Sequence, residues 1–403
     1  MKRLFRISFD ILATSIIPIL TWFFLSKIVK NEVIEIFTLT YPMQFIVGII
    51  VSLFATSANI SREKDGIEGS VMSSIIVGIV IGGLITLAIV INIEDYLDFM
   101  NTRGYIYTIF TRYAVIQMFL QCILSLVLTK LYYEGREDRA NVYTVIFNIM
   151  SFVSIIGLNL ILKDYVSAII ASLIIVGLYT FIILIKESEK FKIELSVESL
   201  FKYDSVKLCS QIFFVVIYIF GIENIVSFDR EYIIAMTYVA LVTDVAWDAI
   251  SSIGVVAKID ISKNKFNIKH HFKNAYILNF ILIALSAVML ISLYYTYKFN
   301  IKLVMIYYFA EILILIIYPI YCIKIIYLQL EYSATKMTTN RFITNTIRTA
   351  ASFLATPFCT IIGMVVSDFY QFFTVNYIFN KNYYVDDIGE VKKKEKGILT
   401  EAL

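Results

Sequence analysis

The chain has 403 residues, of which 59% are hydrophobic and 17% charged, and its mean hydropathy is +0.79. This composition excludes an ordinary soluble globular protein and predicts an all-α polytopic membrane protein. The net charge of +3 is too small to indicate a nucleic-acid partner.

The first 25 residues resemble a secretory signal, because Lys2, Arg3 and Arg6 precede an apolar run. Asp10 interrupts that run, however, and no small-residue cleavage site follows it. We therefore interpret this stretch as a first membrane span that is retained.

Twelve stretches are long and apolar enough to span a membrane, since about twenty apolar residues cross a hydrocarbon core roughly 30 Å thick. The boundary between the last two is placed at Gly363, opposite Asp164 in an internal repeat register. The predicted spans are approximately 7–29, 33–60, 70–93, 104–131, 140–162, 165–186, 205–226, 231–257, 272–297, 301–330, 340–361 and 363–380.

The register is a repeat of 199 positions. A span, a short polar turn and a return span occupy residues 132–162, and the same order recurs at 331–361, with Asn141 opposite Asn340. All span boundaries keep this register, which predicts two six-helix lobes related by a pseudo-two-fold axis along the membrane normal. Chance coincidence of similar hairpins is the alternative. The predicted divisions are an N-lobe at 1–187, a cytoplasmic linker at 188–204, a C-lobe at 205–381 and a cytoplasmic tail at 382–403.

Most lysines and arginines fall in alternate loops on one side, together with both termini. Cytoplasmic loops carry this excess, so both termini are predicted to be cytoplasmic in a multi-pass protein of the cell membrane. The acidic pair Asp386 and Asp387 lies in the tail, which we interpret as a solvated segment near anionic lipid headgroups.

Four features together carry a family resemblance. They are Pro18 in the first span, the polar turn at 61–70, the charged turn containing Gly135, and a fifth span with Asn148 and Asn159. The chain thereby resembles the multidrug and toxic compound extrusion (MATE) transporters, whose superfamily (MOP) also contains flippases for lipid-linked oligosaccharides. The resemblance implies export by alternating access. The family's acid late in span one has no match, and its carboxylates in spans seven and ten would fall near Val215 and Cys322.

Asp244 and Asp248 are the strongest candidates for a binding site. They lie four residues apart in span eight, and therefore on one helical face. A charge at bilayer depth costs at least about 2.5 kcal/mol, so it indicates a cavity or a partner. Two close carboxylates fit a proton, a sodium ion or a cationic ligand. The alternative is a pair that holds helices together.

Arg112 in span four and Glu311 in span ten are equivalent in the repeat register. If the lobes pack about a normal axis, the two charges lie at equal depth and could form an outer gate that closes by pairing. A static salt bridge or two separate snorkelling side chains are the alternatives.

Five further residues are candidates to line a cavity. Lys324 and Arg348 are predicted to snorkel to the cytoplasmic surface, and Asp368 to pair with one of them. Tyr238 and Trp247 lie within spans and offer cation–π faces, although helix packing or lipid contact is the alternative for each.

The sequence contains no phosphate-binding G-x-x-x-x-G-K-[ST] loop and no H-E-x-x-H or G-x-S-x-G motif, so it predicts no enzyme and no primary pump. No cofactor and no metal site are expected beyond a proton or sodium as coupling ion.

The leading hypothesis is a monomeric secondary transporter that exports an amphipathic or cationic organic compound. The alternative is a flippase for a lipid-linked oligosaccharide or polysaccharide precursor. Membrane lipids are the other expected partners.

Overall fold

The computed structural model describes residues 16–188, 196, 198–203 and 205–394; the stretch around Asp10 lies outside them. The described residues are almost entirely helical. The helices are α1 Ile16–Ile28, α2 Ile36–Leu39, α3 Tyr41–Ile50, α4 Ser57–Asp65, α5 Ser70–Ile91, α6 Ile93–Phe99, α7 Tyr105–Tyr133, α8 Glu137–Leu162, α9 Tyr165–Ser188, α10 Glu198–Phe201, α11 Ser205–Phe228, α12 Arg230–Ser262, α13 Ile268–Tyr297, α14 Ile301–Glu331, α15 Ala334–Ser352 and α16 Cys359–Asn382.

Eight of the described helices are long and apolar enough to cross a membrane: α5, α7, α8, α9, α11, α12, α13 and α14. Helical segments also lie in the other four predicted stretches. Large apolar side chains such as Leu84, Ile161 and Phe373 are more than half exposed on the bundle surface. Such a surface suits lipid as solvent, and the prediction of an all-α polytopic membrane protein is confirmed.

The second predicted span is not one continuous helix. A 3₁₀ turn at Asn31–Glu35 leads into α2, and a π-helical segment at Val51–Thr56 separates α3 from α4. Between α2 and α3, the Thr40 hydroxyl donates to the Phe37 carbonyl at 2.9 Å. Helix α3, between these irregular segments, packs against α11 of the other half of the chain.

Two groups of helices surround this contact. In the second half, α12 packs on α13 and α14, while α15 packs on α11 and α16. In the first half, α7 packs on α5 and α9, and α8 packs on α9. The site described below lies where α3 meets the second group.

The chain after α16 forms a hairpin of β1 Tyr383–Val385 and β2 Val391–Lys393, in which Tyr383 pairs with Lys393. Tyr383 is 5% exposed and packs against Tyr327 and Phe379. The backbone N–H of Ile268 donates to the Gly389 carbonyl at 3.0 Å. The predicted solvated tail thus forms an ordered hairpin over residues 383–394, in which Tyr383 packs against the bundle while Asp387 and Glu390 are exposed. We call the end of the bundle that carries this hairpin the tail end, and the opposite end the far end.

Candidate functional site

Asp244 lies at the contact between the two halves of the chain. It is on α12, and the hydroxyl of Tyr41 on α3 donates to its carboxylate. The Tyr41 ring also contacts the ring of Tyr218 on α11, with centroids 5.5 Å apart. Tyr41 was not predicted from the sequence, because its partner Asp244 lies 203 residues away in the chain.

Two more carboxylates join Asp244. Asp248 is one turn further along α12 and has an exposed side chain, while Trp247 between them donates its indole N–H to Glu311 of α14 at 2.7 Å. Asp244 interacts electrostatically with both other acids. We call Asp244, Asp248 and Glu311 the acidic cluster. The structure thus brings together three of the four residues predicted to bind an ion or substrate.

Arg348 and Asp368 form an ion pair next to this cluster. Arg348 is 8% exposed and Asp368 is 2% exposed, and the two join α15 to α16. Tyr321 donates its hydroxyl to the same carboxylate at 2.5 Å. The guanidinium of Arg348 also lies 4.9 Å from the ring centre of Phe214. The prediction that Arg348 snorkels to the surface is wrong, because a buried acid holds its charge inside the bundle.

Lys324 does not pair with Asp368. Its ammonium donates to the Asn376 side-chain oxygen at 2.6 Å and lies 4.9 Å from the ring centre of Phe379. It therefore sits one turn closer to the tail end than Tyr321, which binds Asp368 from the same helix.

The predicted pairing of Arg112 with Glu311 is not formed. Arg112 instead pairs with Glu94 of the short helix α6 at 3.1 Å, with an exposed guanidinium, and Glu311 is held by Trp247. The repeat register gave the two residues equal depth. It did not give the direction in which each helix presents its side chain, and α6 supplies a nearer acid.

Tyr238 lies apart from the acidic cluster. It is 6% exposed and packs against Phe299 and Tyr297, with ring centroids 4.6 Å and 5.3 Å away. Among the predicted aromatic candidates, Trp247 is the one that touches a member of the acidic cluster.

Arg341 was not among the predicted site residues, because it falls at the very start of the predicted span 340–361. Helix α15 begins at Ala334, so Arg341 lies two turns inside the helix and donates to Ser210 and Gln371. The sequence does indicate a polar interior here, because α15 is the least apolar of the long helices and carries Thr, Asn and Arg along much of its length.

The fold was compared with known proteins. Neither a protein-family model nor a curated protein matches the sequence. Among solved structures, an outward-facing multidrug resistance MATE transporter of the MOP superfamily matches with a TM-score of 0.72 at 13% identity, over 94% of each chain. A second match is a MOP superfamily transporter from Pyrococcus furiosus, described as having a binding pocket of reverse polarity. Its TM-score is 0.71 at 15% identity, over 94% of this chain and 95% of that chain.

The chain has the MATE fold. A third structure, of a MATE in complex with MaD5, agrees, with a TM-score of 0.66 at 15% identity over 94% of this chain and 96% of that one. The resemblance drawn from Pro18 and the polar turns is confirmed at the level of the MATE fold. At these identities the match carries the arrangement of helices, while the chemistry has to be argued from the residues of this chain.

Proposed function

We propose that the protein is a secondary active transporter of the MATE kind. It exports an amphipathic or cationic organic compound by alternating access, coupled to proton or sodium influx. The observation that carries the proposal is the acidic cluster, because it lies at the contact between the two halves, where Tyr41 of one half binds Asp244 of the other. A site at such a contact can be exposed to either side as the halves rock.

The proposed architecture is twelve membrane helices in two six-helix lobes, with both termini cytoplasmic in the cell membrane. Thr38 and Thr237 support a pseudo-two-fold axis along the membrane normal. They are equivalent in the repeat register, both are buried, and their hydroxyls are 2.7 Å apart. Two equivalent residues of a two-fold arrangement can touch only where they lie on its axis.

A reciprocal contact at the tail end supports the same axis. Lys64 of the first half pairs with Glu331 of the second at 2.7 Å. Lys263, the repeat equivalent of Lys64, donates to the Tyr133 carbonyl of the first half at 2.6 Å. Each half thus extends an equivalent lysine to the same region of the other.

Alternating access also requires contacts that can break. At the far end, Arg230 of α12 pairs with Glu35 at 2.5 Å and donates to the Tyr107 hydroxyl at 2.7 Å. The Arg230 side chain is 49% exposed. The Glu35 side chain is 12% exposed, so water reaches this pair from the arginine side, and the contact can open without leaving a deeply buried charge.

A flippase for a lipid-linked sugar precursor is the second candidate. It is favoured by Arg341 and Lys324, whose hydrogen bonds in the described part of the chain go to neutral side chains. A pyrophosphate would meet these cations and leave the three carboxylates of the acidic cluster unused. We therefore place the exporter first.

The test is ethidium transport by the purified chain in liposomes under an imposed proton or sodium gradient. We expect gradient-driven movement by the wild type and its loss in the double variant Asp244→Asn, Asp248→Asn. Asp164→Asn, in the exposed turn between α8 and α9, is the matched control and should transport normally.

Full activity in the double variant would exclude the acidic cluster as the site. If the folded wild type moves no ethidium under either gradient, the exporter proposal fails and the flippase becomes the better candidate.

A further inference from the structure

Charge in the second half of the chain is divided along the membrane normal. The acidic cluster lies around the middle of α12 and in the first half of α14, and the Arg348–Asp368 pair lies next to it. Arg341 and Lys324 follow toward the tail end. On α14 alone, Glu311 and Lys324 are thirteen residues apart, which is about 20 Å along the helix. These two cations therefore lie closer to the tail end than the acidic cluster does.

Arg341 differs from Arg348 in its partners. Its guanidinium donates to the Ser210 hydroxyl and to the Gln371 side-chain oxygen, and lies 5.8 Å from the centre of the Phe214 ring. Among the residues the structure describes, it forms an ion pair with no carboxylate. A cation inside a membrane protein without an acid partner indicates a ligand or a pathway.

Two neighbouring amides have unused hydrogen-bonding atoms. The Gln371 side chain holds Arg341 through its oxygen, but its Nε2 is buried and has no partner. Asn345 lies one turn from Arg341 on α15, is 0% exposed, and neither of its amide atoms has a partner. A buried amide without hydrogen-bond partners is unfavourable, so these groups mark a place that a polar ligand or ordered water fills.

We infer that Arg341, Gln371 and Asn345 form a subsite for an anionic group, and that the substrate is a zwitterion. The three side chains present N–H donors around one positive charge, which matches a carboxylate or phosphate. The cationic group of the same molecule lies at the acidic cluster. This inference rests on the proposed transport function and specifies its substrate class.

Aromatic rings lie between the acidic cluster and the anionic subsite. Tyr318 contacts Trp247 with ring centroids 4.8 Å apart and Tyr321 at 5.3 Å, and it interacts electrostatically with Arg341. Trp247 in turn binds Glu311. The rings meet edge to face and place aromatic edges and faces between the anionic and cationic subsites, which suits an aromatic body that carries both charges.

A lipid headgroup could supply the same anionic chemistry. Gln371 and Asn345 are both 0% exposed, so they lie inside the helix group and away from its lipid-facing surface. We therefore assign the subsite to a substrate that enters the interior. The experiment includes a competing lipid to separate the two sources.

The test compares two fluorescent dyes that differ in one group. Rhodamine 110 carries a cationic ring system and a free carboxylate, whereas rhodamine 123 is its methyl ester and only cationic. Binding to the purified full chain in detergent is measured by fluorescence anisotropy. We expect the wild type to bind rhodamine 110 about tenfold or more tightly than rhodamine 123, since a charge-assisted hydrogen bond contributes that factor.

Arg341→Gln should reduce this preference to about one. Gln371→Glu should do the same, because it places a carboxylate beside Arg341 and needs no new space. Lys186→Gln, which removes an exposed cation on α9, is the matched control and should keep the wild-type preference. Size-exclusion profiles establish which variants are folded, and Gln371→Glu keeps the test decisive if Arg341→Gln does not fold.

Three results would overturn the inference. The first is equal binding of rhodamine 123 and rhodamine 110 by the wild type, and the second is a Gln371→Glu variant that retains the preference. The third is displacement of rhodamine 110, but not of rhodamine 123, by soluble dioctanoyl phosphatidylglycerol, which would assign the subsite to a lipid headgroup. In all three cases ethidium transport and its loss on changing Asp244 and Asp248 would stand unaffected. Absence of ethidium transport tests the proposed function separately.

Discussion

At the scale of single residues, the Arg348–Asp368 pair shows how a charge is kept inside this protein. Both side chains are nearly inaccessible, and Asp368 also accepts a hydrogen bond from Tyr321, while Arg348 donates to Ser367 at 2.9 Å. Removing one member leaves the other charge buried without a partner. Removing both leaves only a packing change.

We therefore predict that Arg348→Gln lowers the free energy of unfolding by about 3–5 kcal/mol. The double variant Arg348→Met, Asp368→Leu should recover most of this loss. Arg112→Gln is the control, because the Arg112–Glu94 pair is exposed and should change stability by about 1 kcal/mol or less. Thermal unfolding of the purified protein in detergent measures all three. Equal loss in the single and double variants would contradict this account.

Asp386 sets the turn of the hairpin after α16. Its carboxylate accepts the backbone N–H of Glu390 at 2.8 Å and pairs with Lys392 at 2.7 Å. The hydrogen bond from Lys392, followed by the backbone N–H groups, lowers the pKa of Asp386 below its ordinary value of 3.8. A lowered carboxyl pKa stabilises the folded form above the unfolded pKa, and this contribution is lost as pH falls through the folded value.

The hairpin should therefore be protected at neutral pH and open on acidification below about pH 4. Asp386→Asn should open it at neutral pH too, because the amide cannot pair with Lys392 as a carboxylate does. Hydrogen exchange of residues 383–394 is the measurement. Asp387→Asn is the control, because Lys269 donates to the backbone carbonyl of Asp387, which this substitution leaves in place. Equal exchange in the two variants would exclude this role of Asp386.

At the scale of elements, α15 and α16 approach each other closely at Gly363. A Cβ at this position would lie 2.9 Å from the Ala351 Cβ and 3.0 Å from the Arg348 carbonyl oxygen. The second contact is with backbone, so the helices themselves must shift to accommodate it. The same contact positions Arg348 opposite Asp368.

Gly363→Ala should accordingly destabilise the protein by about 1–3 kcal/mol, in the range of overpacked cores. Gly157→Ala is the matched control within a helix, because a Cβ there meets nothing within 4 Å. The control should be neutral or stabilise by up to about 1 kcal/mol through helix propensity. Thermal unfolding distinguishes the two. A Gly363→Ala protein as stable as the control would show that the two helices are free to separate.

The boundary between the last two spans shifted most: it was predicted at Gly363, but α15 ends at Ser352 and α16 begins at Cys359, so that prediction is wrong. The start of α15 also shifted, because polar residues begin this helix. Span eleven was predicted from residue 340, but α15 begins at Ala334, where Ser333 accepts the N–H of Lys336 and caps the helix. Hydropathy marks where apolar residues start, whereas the helix starts at its cap. The difference moves Arg341 from the first turn of the predicted span to two turns inside the helix.

At the scale of the whole molecule, the two halves are joined at both ends by contacts of different kinds. Arg230 and Glu35 pair at the far end, and Lys64 and Glu331 pair at the tail end. Between them, the Thr38 and Thr237 hydroxyls meet in a buried contact. In the proposed alternating-access cycle, the Arg230–Glu35 and Thr38–Thr237 contacts open and close.

A disulfide between Thr38→Cys and Thr237→Cys should therefore stop ethidium transport in the oxidised protein, and reduction should restore it. The short distance between the two hydroxyls makes the crosslink feasible. Each single cysteine variant is the control and should transport under both conditions. Transport by the fully crosslinked protein would show that this contact does not separate during the cycle.

The sequence by itself determined the class and the positions of the helices, because a membrane span depends on local length and apolarity. It also identified the acids of the site, since a carboxylate within an apolar span is energetically costly and indicates a cavity or a partner. Which residues meet depends on helix rotation and on partners distant in the chain, which no local pattern encodes. Only the tertiary structure therefore decided that Arg348 binds Asp368, that Arg112 binds Glu94 and not Glu311, and that Tyr41 reaches Asp244. For Thr38 and Thr237 the sequence and the tertiary structure both contribute. The repeat makes these residues equivalent, and the packing of the two halves brings them into contact.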